Sequence, residues 1–180
     1  NVQRLDTVRK RFHERLAHEA WHAHAHRLAE SVDRSVPLPV WLDEGLAQVF
    51  ETGLLEAGEL RLDAPDPRRL AQLADLLAAE PRGALGAVID GGENQFVVGH
   101  GNAAATSRRA YLLAWGVAYD LVLGAPALSV RGIEEAARSG PEAGGERARF
   151  ERLVGMPVEE FETEWRARML NLARPRPVAQ

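Results

Sequence analysis

Apolar residues recur at helical spacing through most of the chain, and the breaks between the runs predict its elements. Asp6 is placed to cap a first helix running to about Glu30, with Val8, Phe12, Leu16 and Ala20, and less regularly Ala23 and Leu28, forming an apolar stripe. Pro37 and Pro39 disfavour helix at Val36 and Leu38 and let a second helix begin, from about Val40 to Glu51, ending at Gly53. Leu54 to Leu62 alternates around Ala57-Gly58-Glu59, which predicts a short hairpin. Asp66-Pro67 opens a third helix to about Glu80, with Leu70, Leu73, Leu76 and Leu77 facing inward. Pro81 to Ala105 is the least regular stretch, holding Gly83, Gly86, Gly91, Gly92, Gly99 and Gly101; it predicts loop with a short helix near Ala84 to Ile89. Periodicity resumes from about Thr106 to Leu123, where Tyr111, Trp115 and Tyr119 at i, i+4 and i+8 mark a central buried helix. Shorter helices are predicted over Val130 to Arg138 and Arg147 to Leu153, joined through Gly140 to Gly145. A last amphipathic helix follows, about Val158 to Leu172, built on Phe161, Trp165 and Met169, before a frayed Arg174-Pro175-Arg176-Pro177 tail.

The expected fold class is therefore mainly α (α+β), with a small strand element at the edge. A length of 180 residues without internal repeats suits one domain, residues 1–180, with a sizeable core. The start at Asn1, directly in a helical pattern, suggests a domain excised from a longer chain, its targeting segment absent and its compartment open. Composition narrows the function. A formal charge of −4 with scattered basic residues lacks the electrostatic footprint of a nucleic-acid binder. No run reaches the ~18 apolar residues of a membrane span. Lys10 is the only lysine beside 21 arginines, and alanine is abundant, which suggests a bacterial source. The absence of cysteine excludes disulfides and thiolate metal sites, leaving histidine and carboxylate as metal ligands.

That restriction gives weight to His18-Glu19-Ala20-Trp21-His22, an HExxH motif inside the first helix. Positions i and i+4 share a helix face, so His18 and His22 present two imidazoles to one point, half of a tetrahedral zinc site. Glu19, beside them, is placed to take a proton from a metal-activated water. With 6 His and 18 Glu in the chain, chance would produce the motif roughly 0.02 times. The plain alternative is an amphipathic helix with wet histidines, and His13, His24 and His26 lie nearby. Two residues compete as third ligand. His26 sits on nearly the same face but ~12 Å along the axis from His18, too far to share one ion. Glu44, 22 residues after His22, can return to the metal if the second helix packs antiparallel to the first.

HExxH followed by Trp41-Leu42-Asp43-Glu44-Gly45-Leu46-Ala47 resembles the gluzincin zinc metallopeptidases of the peptidase MA-like superfamily, in particular the uncharacterised bacterial relatives of the aminopeptidase N catalytic domain. The resemblance covers residues 10 to 52 well. More loosely, it extends to the Tyr111 to Trp115 helix and to the closing Gly155 to Trp165 segment. It implies a zincin-like helical catalytic domain, Zn2+ held by His18, His22 and Glu44, Glu19 as general base, and a peptide or protein substrate. In such enzymes a downstream tyrosine stabilises the oxyanion. Tyr111 matches in order and approximate spacing, with core packing as its alternative role and His100 as the rival donor.

The departures are specific. The G-x-M-E-N segment that grips a free amine upstream of HExxH in the aminopeptidases is missing from this chain, and Gly91-Gly92-Glu93-Asn94, downstream, reads as a turn. The aspartate that some gluzincins place four residues after the glutamate ligand is Gln48 here. Glu51, at i+7, can orient a histidine instead, or stand as an exposed helix-end carboxylate. The expected activity is zinc-dependent peptide-bond hydrolysis. The alternative is a zinc-containing domain that binds or scaffolds peptides without cutting them.

Overall fold

The computed structural model describes residues 2–31, 37–56, 59–62, 64–96, 102–124, 130–138, 140 and 144–174. Along the chain run α1 (Val2–Ser31), α2 (Val40–Glu51), β1 (Leu54–Glu56), β2 (Glu59–Arg61), α3 (Pro67–Ala79), α4 (Ala84–Gly91), a 3-10 turn (Gly92–Gln95), α5 (Asn102–Leu123), α6 (Val130–Arg138), α7 (Gly145–Val154) and α8 (Val158–Leu172). The protein is mainly α-helical. The strands among the described residues form one antiparallel hairpin in which Leu54 pairs with Arg61, Leu55 with Leu60 and Glu56 with Glu59. No helix among the described residues is long and apolar enough to cross a membrane.

Local signals account for several boundaries. Asp66 caps α3, its carboxylate accepting from the backbone N–H groups of Arg68 and Arg69 at 2.9 and 2.8 Å, while Pro67 takes the first helical position, where no N–H is needed. Leu70, Leu73 and Leu77 of α3 are buried and Leu76 partly so. Other boundaries correct the sequence reading. α1 begins at Val2, so Asp6 lies inside the helix; nothing in Val2 to Leu5 opposes helix, and cap preference yields to continuation. α5 begins at Asn102 because Ala103 to Ala105, assigned above to the irregular stretch, are the strongest helix formers. The fraying expected after Arg174 and the 141–143 part of the glycine link fall outside the described residues.

α5 is the central helix, packed against α2, α3, α4 and α8. Ala110, Leu113, Trp115, Val117 and Ala118 are inaccessible to solvent, each large side chain stabilising the core by roughly 1.5–3 kcal/mol. Trp165 of α8 donates its indole N–H to the Gly116 carbonyl at 3.1 Å, pinning the last helix to α5. On the opposite side α2 lies almost backbone to backbone on α5: a Cβ on Gly45 would sit 2.5 Å from the Ala114 carbonyl oxygen. α1 then packs on α2 through Trp21 and Ala25, which are buried. The stripe seen in the sequence points elsewhere, since Leu5, Val8, Phe12 and Leu16 are all more than half exposed.

Candidate metal centre

His18 meets Glu51 and His22 meets Asp43, so residue numbers rise along α1 as they fall along α2. The helices are antiparallel, as the return of Glu44 requires. His18 Nε2 and His22 Nε2 face each other at 3.1 Å, and Glu44 Oε2 stands 3.8 and 3.9 Å from them. A triangle with those edges has its centre ~2.1 Å from each corner, the length of a zinc–nitrogen or zinc–oxygen bond. Glu44 Oε2 is also buried without a hydrogen-bond partner among the described residues, a costly arrangement for a carboxylate unless a cation completes it. The donor set of two imidazoles and one carboxylate leaves a position open, as catalytic zinc sites do. These three residues fit a zinc ion.

Each histidine is braced from behind. His18 Nδ1 bonds Glu51 Oε2 at 3.1 Å and His22 Nδ1 bonds Asp43 Oδ2 at 3.0 Å; with the proton on each Nδ1, both Nε2 atoms would be free to ligate. Asp43 spends its other oxygen on the Trp21 indole N–H at 2.8 Å, and Trp21 stacks on Phe50 with 5.0 Å between ring centres. Glu51 in turn is gripped by Arg69 of α3 at 2.8 Å, and the same guanidinium donates to Gln48 Oε1. Gln48 Nε2 donates to the Tyr111 carbonyl at 3.0 Å. The carboxylates that hold the histidines thus lie one residue before and seven after Glu44, and the amide at Gln48 serves instead to tie α2 to α5 and α3.

The electrostatics follow this wiring. The Glu51 hydrogen bond raises His18 above its usual pKa, against the opposing effect of burial. Burial lifts the Glu44 carboxyl above the ordinary carboxylate range, despite the pull of His22 and His18. At Glu51 burial acts upward too, yet the His18 bond and the Arg69 charge outweigh it and hold the group low. Tyr111 is raised first by burial and then by the Glu44 carboxylate. The Tyr111 hydroxyl donates to the Phe96 carbonyl at 3.2 Å, and the two rings meet edge to face.

The remaining candidates separate cleanly. Glu19 is near enough to act electrostatically on both His18 and Glu44, although its carboxylate is 58% exposed and 3.7 Å from Arg15. His26 is off the site, exposed and paired with Glu30 at 3.4 Å. Gly91 to Asn94 form the end of α4 and the 3-10 turn, as read. His100 lies outside the described residues. Asp43 is the partner the sequence reading missed, although its place immediately before Glu44 was a signal: it extends from the same helix turn toward α1.

The architecture defines a mainly helical protein with a cluster of two histidines and one carboxylate at the crossing of two antiparallel helices. Residues 14–142 match the family described as protein of unknown function (DUF1570), and the chain belongs to that family. The matched span contains HExxH, Glu44 and Tyr111. No curated protein and no solved structure matches the chain.

Proposed function

We propose that this protein is a zinc-dependent peptidase with a gluzincin-like mechanism. The reading is carried by the convergence of His18 Nε2, His22 Nε2 and Glu44 Oε2 within 4.8 Å of one another, the last without a hydrogen-bond partner among the described residues. Zinc held there would polarise a scissile carbonyl and acidify a water. Asp43 and Glu51 hold the imidazoles in the ligating tautomer. Glu19, following His18 on α1, accepts the proton of the attacking water and passes it to the leaving amine. Tyr111 turns its hydroxyl from Phe96 to the oxyanion that develops on the substrate.

The purified protein is expected to carry one zinc per chain and to cleave members of a mixed peptide library; His22→Ala should lose both properties. A chain that takes up no zinc would sink the proposal. The pairing of Glu19 with Arg15 favours a second reading, a zinc-containing peptide-binding domain without turnover; that reading would show stoichiometric zinc and no cleavage. Tyr111→Phe separates a donor from a packing residue. It is expected to lower kcat by on the order of 10²-fold, equivalent to the ~2.7 kcal/mol of a lost oxyanion donor, while losing only ~1 kcal/mol of stability with the Phe96 bond. An unchanged kcat per folded molecule would reduce Tyr111 to packing.

A further inference from the structure

On the side of Tyr111 toward α3 lies a cavity of about 600 Å³, bounded by α2, α3 and the first turns of α5. Three arginines line it, Arg69, Arg108 and Arg109, together with Gln48 and Gln72. Two of the cations are matched: Arg69 by Glu51 at 2.8 Å and Arg109 by Glu80 at 2.6 Å. Arg108 is exposed, and its Nε donates only to the Ala104 carbonyl of its own helix, at 3.2 Å; no carboxylate pairs with it among the described residues. Arg108 is thus the lining cation that no carboxylate matches among the described residues. Its floor is joined to the candidate metal cluster twice, through the Arg69–Glu51–His18 chain and through Gln48, which stands one helical turn, ~6 Å, beyond Glu44.

We propose that this cavity is a substrate subsite for a single carboxylate of a peptide, borne by an acidic side chain or by the C-terminus, with Arg108 as its principal cation. The proposal rests on the peptidase reading for its place in catalysis. A single unmatched guanidinium suits a monoanion better than a phosphate dianion, and Leu76 and Leu112 give the cavity an apolar wall that suits the stem of an amino acid. A guanidinium with free terminal nitrogens binds a carboxylate through two parallel hydrogen bonds. Tyr111 lines the cavity, and Gln48 in its wall stands one helical turn beyond Glu44, which ties the subsite to the proposed centre.

The test measures binding and cleavage separately. Acetyl-Ala-Glu-Ala-amide and its Gln counterpart are titrated by NMR against the protein, as are acetyl-Ala-Ala-Ala with a free and with an amidated C-terminus. The carboxylate-bearing member of at least one pair is expected to bind about tenfold tighter, and the pair that shows the preference identifies the source of the carboxylate. Arg108→Gln should abolish that preference with the thermal melt unchanged, because the side chain is exposed. Equal binding within both pairs, or a preference that survives Arg108→Gln, overturns the subsite. The two proposals fail differently. Cleavage of the library without charge preference leaves the peptidase and removes the subsite; preference without any cleavage leaves the subsite as a peptide-binding cavity and removes the peptidase.

Discussion

Glu19→Gln is expected to leave zinc binding intact and to lower turnover by on the order of 10² to 10⁴-fold, the usual cost of losing a general base. The amide keeps the shape of the side chain and cannot accept a proton. Because Glu19 is exposed and makes only a long contact with Arg15, the substitution should hardly move the thermal melt, so lost activity cannot be blamed on lost fold. The decisive comparison is zinc content and library cleavage measured on the same sample. Equal turnover by the mutant would assign the base to another residue.

Gly45→Ala carries the largest expected effect on stability, with a sign opposite to helix propensity. In an open helix interior, replacing glycine by alanine gains ~1 kcal/mol. At Gly45 the added Cβ would lie 2.5 Å from the Ala114 oxygen and 2.9 Å from the Ala118 Cβ, and two helix backbones cannot yield as a flexible side chain would. A net loss on the order of 3 kcal/mol is expected, measured by denaturant titration. Since relief requires α2 to move off α5, and Glu44 precedes Gly45 on α2, zinc affinity should fall with stability. A stabilised variant with normal zinc affinity would mean that the two helices have more freedom than their packing indicates.

The parts of the site legible in the sequence were those written in local spacing. His18 and His22 follow from one helical turn, and Glu44 from a second motif at a fixed remove. Glu51 was identifiable as a possible brace because it shares α2 with Glu44, although its burial against Arg69 was not visible. Arg69 itself could not be found, since its role depends on how α3 docks after a hairpin and a capped turn. The apolar stripe of α1 shows the same limit: Val8 and Phe12 have helical period, but period alone does not say whether a face is covered. At the fold level, proline and aspartate punctuation placed α3 closely, whereas α1 starts among residues that merely permit helix and α5 among alanines that favour it.

Asp43 divides its two oxygens between the His22 imidazole and the Trp21 indole. Of the four tryptophans, Trp41, Trp115 and Trp165 are sealed in the core, while Trp21 shares a carboxylate with a histidine of the cluster. An ion that drew His22 forward would change how Asp43 holds the indole N–H, with the ring held in place by the stacked Phe50. The motif therefore carries its own fluorophore, and uptake of an ion by the cluster is expected to show in the protein's intrinsic emission without a label.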